Sequence, residues 1–178
     1  TPGNVFRIKK NTNTDDTNIY NTKRPRLYLG ANTTLTINAT GTFHIVEGEF
    51  HNFGSVLNSG TIHNQAKYVN HKETRSINTF INETRHLDSL AILINNDSII
   101  TSGTFTNKVN TTVTNNKYFE NSGQMHNYNL FTNVFGSYLV NKNYFTNYSS
   151  ASITNKSIIK VMSPNGVMDN YGIYLNNY

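Results

Sequence analysis

Few side chains in this 178-residue chain have types that do chemistry, and their spacing narrows what they can do. Six histidines are present, and His44, His51, His63 and His126 each directly follow a large apolar residue. Within alternating segments that position points outward, and His51 and His63 fall on different faces. A metal site needs two or three such ligands converging within a few ångströms, so the pattern predicts a solvated surface and no metal. The ten carboxylates, Asp15, Asp16, Glu47, Glu49, Glu73, Glu83, Asp88, Asp97, Glu120 and Asp169, are scattered. Glu47 and Glu49 share a face and Glu73 and Glu83 flank a separate stretch, but no pair recurs at a fixed interval to build a hydrolase or lyase cleft. The expectation is a non-enzymatic protein without a cofactor. Cysteine is absent, which excludes disulfides and thiolate zinc sites.

The elements that carry these residues are legible in the stretch Gly48 to Asn70. Every second residue rotates through three classes: small (Gly48, Gly54, Gly60, Ala66), large apolar (Phe50, Val56, Ile62, Tyr68) and Asn (Asn52, Asn58, Asn64, Asn70). Period two means extended strand with these residues on one face. The superimposed period of six means a repeat whose units bury their apolar face against one another. Hydrophobic content of 36% supports one thin, elongated core, and regular apolar spacing argues against a disordered Asn-rich tract.

Followed onward, the apolar position of the hexad gives three inward columns. One is Phe50, Tyr68, Leu87, Phe105, Met125 and Phe145; a second runs through Val56, Thr74, Leu93, Val113, Phe131 and Ile153; the third is Ile62, Phe80, Ile99, Phe119, Leu139 and Ile159. The predicted fold class is all-β: a single-stranded parallel β-helix, or solenoid, right-handed, with six to seven coils of 18–20 residues and three faces. Insertions between Asn107 and Asn115 and between Asn133 and Asn141 predict bulged corners. Asn at the third hexad position stacks into ladders, Asn52, Asn70, Ser89, Asn107, Asn127 and Asn147 on one face and Asn64, Asn82, Thr101, Asn121 and Asn141 on another. Residues 1–26 lack the alternation and read as an N-terminal arm or cap, 27–160 as the β-helix, and 161–178 as a terminal coil or cap carrying Met168, Asn170, Tyr174 and Asn176.

The rotation of small, apolar and Asn residues with coils near 18–20 residues resembles the parallel β-helix repeats of filamentous-haemagglutinin-like adhesins and of viral fibre and tailspike proteins. The resemblance covers roughly residues 27–178. It implies the fold, whereas the same helix serves adhesins, lyases and structural spacers.

Function is therefore sought at outward positions. Ile81, Ile100, Tyr118, Tyr138, Val140 and Ile158 read as one apolar outer face, a surface for other protein chains in a homo- or hetero-oligomer or for the chain's own arm. Tyr128 and Tyr148, one coil apart, form a candidate glycan-binding ladder, as Tyr118 and Tyr138 would stack similarly. Lys9, Lys10, Lys23, Arg24 and Arg26 concentrate the net charge of +5 in a basic arm, but no groove interleaves bases with aromatics, so nucleic acid is not an expected partner. Thr34 and Thr36, Thr104 and Thr106, and Thr112 and Thr114 do not extend into the flat array an ice-binding face needs. Seven Asn-x-Ser/Thr sequons begin at Asn32, Asn38, Asn82, Asn96, Asn110, Asn147 and Asn155, of which Asn82, Asn147 and Asn155 fall at inward positions. No apolar run is long enough to span a membrane and no signal peptide is evident. The expected setting is a virion, fibre or cell surface, with a structural building block as the leading role and a glycan-binding adhesin module as the alternative.

Overall fold

A computed structural model describes residues 5–8, 26–76, 78–84, 90–162 and 164–177. Among them, twenty-three short strands form three parallel sheets and there is no helix. Sheet A runs from Val5–Ile8 through Thr42–Ile45, Thr61–Asn64, Thr79–Asn82, Thr104–Asn107, Gln124–Asn127 and Tyr144–Asn147 to Val167–Asn170. Sheet B stacks Arg26–Leu29, Glu49–Asn52, Lys67–Asn70, Ala91–Asn95, Thr111–Asn115, Leu130–Asn133, Ser152–Asn155 and Ile173–Asn176. Sheet C stacks Thr34–Ile37, Ser55–Asn58, Glu73–Ser76, Ser98–Thr101, Tyr118–Asn121, Tyr138–Asn141 and Ile158–Val161. The chain visits B, C and A in turn, which is the three-faced β-solenoid the hexad predicts. The segments read as arm and terminal coil both contribute strands, Val5–Ile8 to sheet A and the last two strands to sheets A and B.

Each strand follows from the hexad. In the interior four-residue strands the second residue points inward and is apolar except at Thr74, the last points inward and is usually Asn, and the first and third face outward; the five-residue strands Ala91–Asn95 and Thr111–Asn115 begin one residue earlier with an inward small residue. A small residue precedes most strands because coils approach closely at the corner: a Cβ on Gly103 would lie 2.0 Å from the Asn78 carbonyl oxygen, and one on Gly123 2.0 Å from that of Gly103. The need for a small residue is thus contact between coils as well as turning. At the two-residue insertions after Asn107 and Asn133 the corner bulges through a left-handed residue, Asn110 (φ 55°) or Gly136 (φ 79°). The following hydroxyl closes it: Ser137 Oγ donates to Asn133 Oδ1 at 2.7 Å, and Thr111 Oγ1 donates to Asn107 Oδ1.

The column order differs from the sequence expectation at one place. Tyr68 registers with Leu93, not with a hexad at Leu87, and Phe80 registers with Phe105. Asn70 accordingly reaches Asn95 and Asn82 reaches Asn107, each 25 residues on, whereas Asn52 to Asn70 spans 18 and Asn95 to Asn115 spans 20. Leu87 and Ser89 lie outside the described residues. The segment between Asn82 and Ala91 is an insertion whose apolar residues imitate a hexad without its small and Asn positions. Every column assigned across it moves by one face, so from Arg26 onward coils span 18–25 residues rather than 18–20.

Inside, Phe43, Phe50, Tyr68, Phe80, Phe105, Phe119, Phe131 and Phe145 form a continuous spine with neighbouring ring centroids 4.9–6.2 Å apart, mostly edge to face. All are essentially inaccessible to solvent. The buried Tyr68 hydroxyl meets Thr74 Oγ1 at 2.7 Å, which explains a Thr at an inward position, and burial pushes its phenol pKa up. Around the spine run the Asn ladders. In sheet B each Nδ2 donates to the Oδ1 of the next coil from Asn52 through Asn70, Asn95, Asn115, Asn133 and Asn155 to Asn176, at 2.8–2.9 Å. Sheet A repeats this from Asn64 to Asn170. No buried side-chain polar atom among the described residues lacks a partner, as a low-dielectric interior requires.

Candidate functional site

The register redistributes the predicted interface. Ile100, Tyr118, Tyr138, Val140 and Ile158 lie on the outer face of sheet C, but Ile81 belongs to sheet A, where it neighbours His63 and Thr106. The cause is the insertion after Asn82, which rotates everything beyond it by one face. Val140 is only 8% exposed, and Tyr118 is turned onto Glu120, so much of this face is closed by its own neighbours. Burial first, then Glu120, push the Tyr118 phenol up to about 12. What stays open is Tyr138 and Ile158, paired in register, with Val161 at the same sheet's end.

The exposed apolar surface grows along the chain. Of the sixteen exposed large hydrophobic residues described, eleven lie between Leu130 and Leu175. Phe135 is the extreme, 90% exposed at the tip of the bulged corner after Asn133. Alternation could not find it because it sits in an insertion; the Asn-x-Phe-Gly-Ser spacing, which puts it beside a left-handed Gly136, is the signal that could have.

Tyr128 and Tyr148 stack as expected, with centroids 4.0 Å apart and planes 8° from parallel. Each ring therefore covers one face of the other, leaving edges directed outward. The column continues to Tyr171, 68% exposed, through Tyr171 N donating to Asn147 O as Tyr148 N donates to Asn127 O. Sequence reasoning missed Tyr171, although it follows a rung Asn as the other two do. Tyr148 also meets His126 Nδ1 at 3.3 Å, and burial lowers the pKa of that imidazole.

The histidines are not simply solvated, contrary to the alternation reading, because stacking brings each a partner from another coil. His44 and His63 stack at 4.7 Å, and His63 Nδ1 lies 2.9 Å from Glu83. In sheet B, His51 Nε2 donates to Glu49 at 2.8 Å and its Nδ1 meets His71 Nε2 at 3.2 Å. Tyr28, Phe53 and His71 extend this into a layered cluster, Phe53 and His71 being 4.2 Å apart and 2° from parallel. His71 was not singled out from the sequence; it lies one residue past Asn70 as Phe53 lies one past Asn52. No group of three or more metal-ligating side chains converges among the described residues.

Carboxylates are matched across coils: Glu49 lies 3.3 Å from both Arg26 and Lys67, Glu83 2.6 Å from Lys108, Asp97 2.5 Å from Lys117 and Glu120 2.7 Å from Lys142. Arg26 is thus tied to the first coils, while Lys9, Lys10, Lys23 and Arg24 lie outside the described residues. Glu49 is held below the usual carboxylate range chiefly because His51 donates to it; burial opposes this and Lys67 and Arg26 more than offset it. A carboxyl lowered on folding contributes stability that is present above its unfolded pKa, near 4.5, and lost as pH falls through the lower folded value. Glu49→Gln should cost about 1 kcal/mol at neutral pH. In urea unfolding that difference should vanish in acid well below pH 4.5.

Of the sequons, Asn32, Asn38, Asn96 and Asn110 are exposed, whereas Asn82, Asn147 and Asn155 are buried ladder rungs, as their inward spacing implies. Among the described residues no helix is long and apolar enough to cross a membrane. No protein-family model, curated protein sequence or solved structure matches the chain. The architecture therefore rests on the repeat and its geometry, and function on the surfaces just described.

Proposed function

We propose that this chain is a non-enzymatic structural β-solenoid, a spacer or building block of a multi-chain assembly such as a virion, surface fibre or appendage. One observation carries the reading: exposed apolar side chains accumulate over the last third of the chain, on a scaffold whose interior is continuously packed and hydrogen-bonded. Contiguous exposed apolar surface rimmed by polar residues marks partner contact. A laddered solenoid is stiff along its axis, which suits a spacer. The resemblance to adhesin and viral fibre or tailspike solenoids supports the same reading by architecture alone.

Sedimentation velocity tests it. At micromolar concentration the chain should form dimers or larger species, and Phe135→Ser with Tyr138→Ser should shift it toward monomer without changing its circular dichroism. A chain that stays monomeric and captures no second chain overturns the reading.

A further inference from the structure

Tyr128 and Tyr148 are held in a geometry that suits a covalent step. Each follows a rung Asn at the same corner, and the rungs Asn127 and Asn147 are joined at 2.7 Å. The Tyr128 N–H donates to the Asn107 carbonyl at 2.8 Å and the Tyr148 N–H to the Asn127 carbonyl at 2.9 Å, so the backbone fixes the two rings one coil apart. The rings lie 4.0 Å from each other and 8° from parallel, and their hydroxyls share a hydrogen bond. That bond and then burial push the Tyr128 phenol up to about 12. With the hydroxyls side by side, the ring carbons next to them also face one another across the stack. Tyr148 Oη meets His126 Nδ1 at 3.3 Å, and burial holds that imidazole below its ordinary pKa. It is therefore the free base at neutral pH, with a ring nitrogen able to take the phenol proton. Both tyrosines are half-buried, which leaves their edges open to an oxidant.

We propose that Tyr128 and Tyr148 form an oxidative coupling site, at which a haem peroxidase acting with hydrogen peroxide joins the two rings and closes a covalent rung between successive coils. Each ring gives up one electron and its phenolic proton, the Tyr148 proton passing to His126 Nδ1 and the Tyr128 proton to solvent. The two radicals form one carbon–carbon bond between the positions next to the hydroxyls. Each bonded carbon then loses its hydrogen and each phenol oxygen regains one, which restores both aromatic rings. The net loss of two hydrogen atoms reduces one hydrogen peroxide to two waters. Stacking makes the coupling intramolecular, with the advantage that held geometry gives over diffusional encounter. The chain has no cysteine, so this link would supply the covalent cross-brace that disulfides cannot. Tyr118 and Tyr138 also pair in register, on sheet C, but the Tyr118 hydroxyl donates to Glu120 and Tyr138 is 48% exposed. Equal spacing with the hydroxyl turned elsewhere makes them the internal comparison.

The test treats the dilute 178-residue chain with a haem peroxidase and hydrogen peroxide, then digests it with trypsin. Cleavage after Lys117, Lys142 and Lys156 places Tyr128 in peptide 118–142 and Tyr148 in peptide 143–156. The two should appear joined, at a mass two hydrogens below their sum, with dityrosine fluorescence and no change in the size of the chain. Fragmentation of this wild-type product should place the bond between Tyr128 and Tyr148. Tyr128→Phe or Tyr148→Phe, with unchanged circular dichroism, should lower its yield about tenfold, whereas Tyr118→Phe, Tyr138→Phe and Tyr144→Phe should not. His126→Phe should slow the coupling severalfold, and an unchanged rate overturns its part as proton acceptor. The coupled chain should unfold at about 1 M more urea, because the link constrains the unfolded state. No joined peptides, a joined product that survives Tyr128→Phe, or an equal yield of the Tyr118–Tyr138 link overturns the inference. None of these outcomes depends on whether the chain assembles.

Discussion

Phe131→Asp should abolish folding. Phe131 is completely buried, in edge-to-face contact with Phe119 and Phe145 at 5.7 and 6.2 Å, at the centre of the aromatic spine. Removing the ring forfeits about 3–5 kcal/mol of packing, and placing an unpaired carboxylate there adds a desolvation cost that total stabilities of about 5–15 kcal/mol do not absorb. The neighbouring Thr132 faces outward between Thr114 and Thr154, so Thr132→Asp should change stability by less than about 0.5 kcal/mol. Circular dichroism and urea unfolding of the pair provide the check, and similar behaviour of the two variants would refute the inward assignment. His63 is a poor outward control even though alternation alone makes it harmless: His63→Asp would set a second carboxylate beside Glu83.

Which features were legible in the sequence follows from the range of the interaction behind each. Strand position and facing depend on neighbouring residues, so Phe50, Val56, Ile62 and their Asn partners could be read directly. The bulged corners were visible as changes in Asn spacing. Register depends on how many residues separate two coils, and there the reading failed once. The insertion after Asn82 contains Leu87, seven residues after Phe80 and six before Leu93, and counting it as a strand moved Ile81 onto the wrong face. Features that rely on pairs of coils across the insertion inherited that slip, and several side-chain contacts between coils stayed invisible. The His63–Glu83 and His51–His71 contacts join residues 20 apart, and no local pattern announces them. The Tyr128–Tyr148 pair was found because both lie beyond the insertion, where coils are evenly spaced; their mutually covered faces are a property of stacking along the axis.

The ladder also gives the solenoid its direction, and Asn115 lies at its middle. It accepts from Asn95 at 2.8 Å and donates to Asn133 at 2.8 Å and to the Tyr138 carbonyl at 2.9 Å, all without solvent. Leu fits the inward space in kind, as Leu29 shows at the equivalent position of the first described sheet B strand, where no described Asn donates to it. In mid-ladder, Asn115→Leu removes three hydrogen bonds worth about 1 kcal/mol each and leaves buried partners short. Asn95 retains the Tyr118 carbonyl and Asn133 retains the Ser137 hydroxyl, which limits the loss. The expected cost is therefore about 3 kcal/mol. Asn116, exposed at the next corner and bonded to Asn96 at 2.7 Å, supplies the comparison.

Equilibrium urea unfolding of Asn115→Leu against Asn116→Ala is the most direct test of a directional amide ladder holding the coils together. The ladder predicts a loss of about 3 kcal/mol for the first and under about 0.5 kcal/mol for the second, with an unchanged urea dependence. A fully stable Asn115→Leu chain would contradict it.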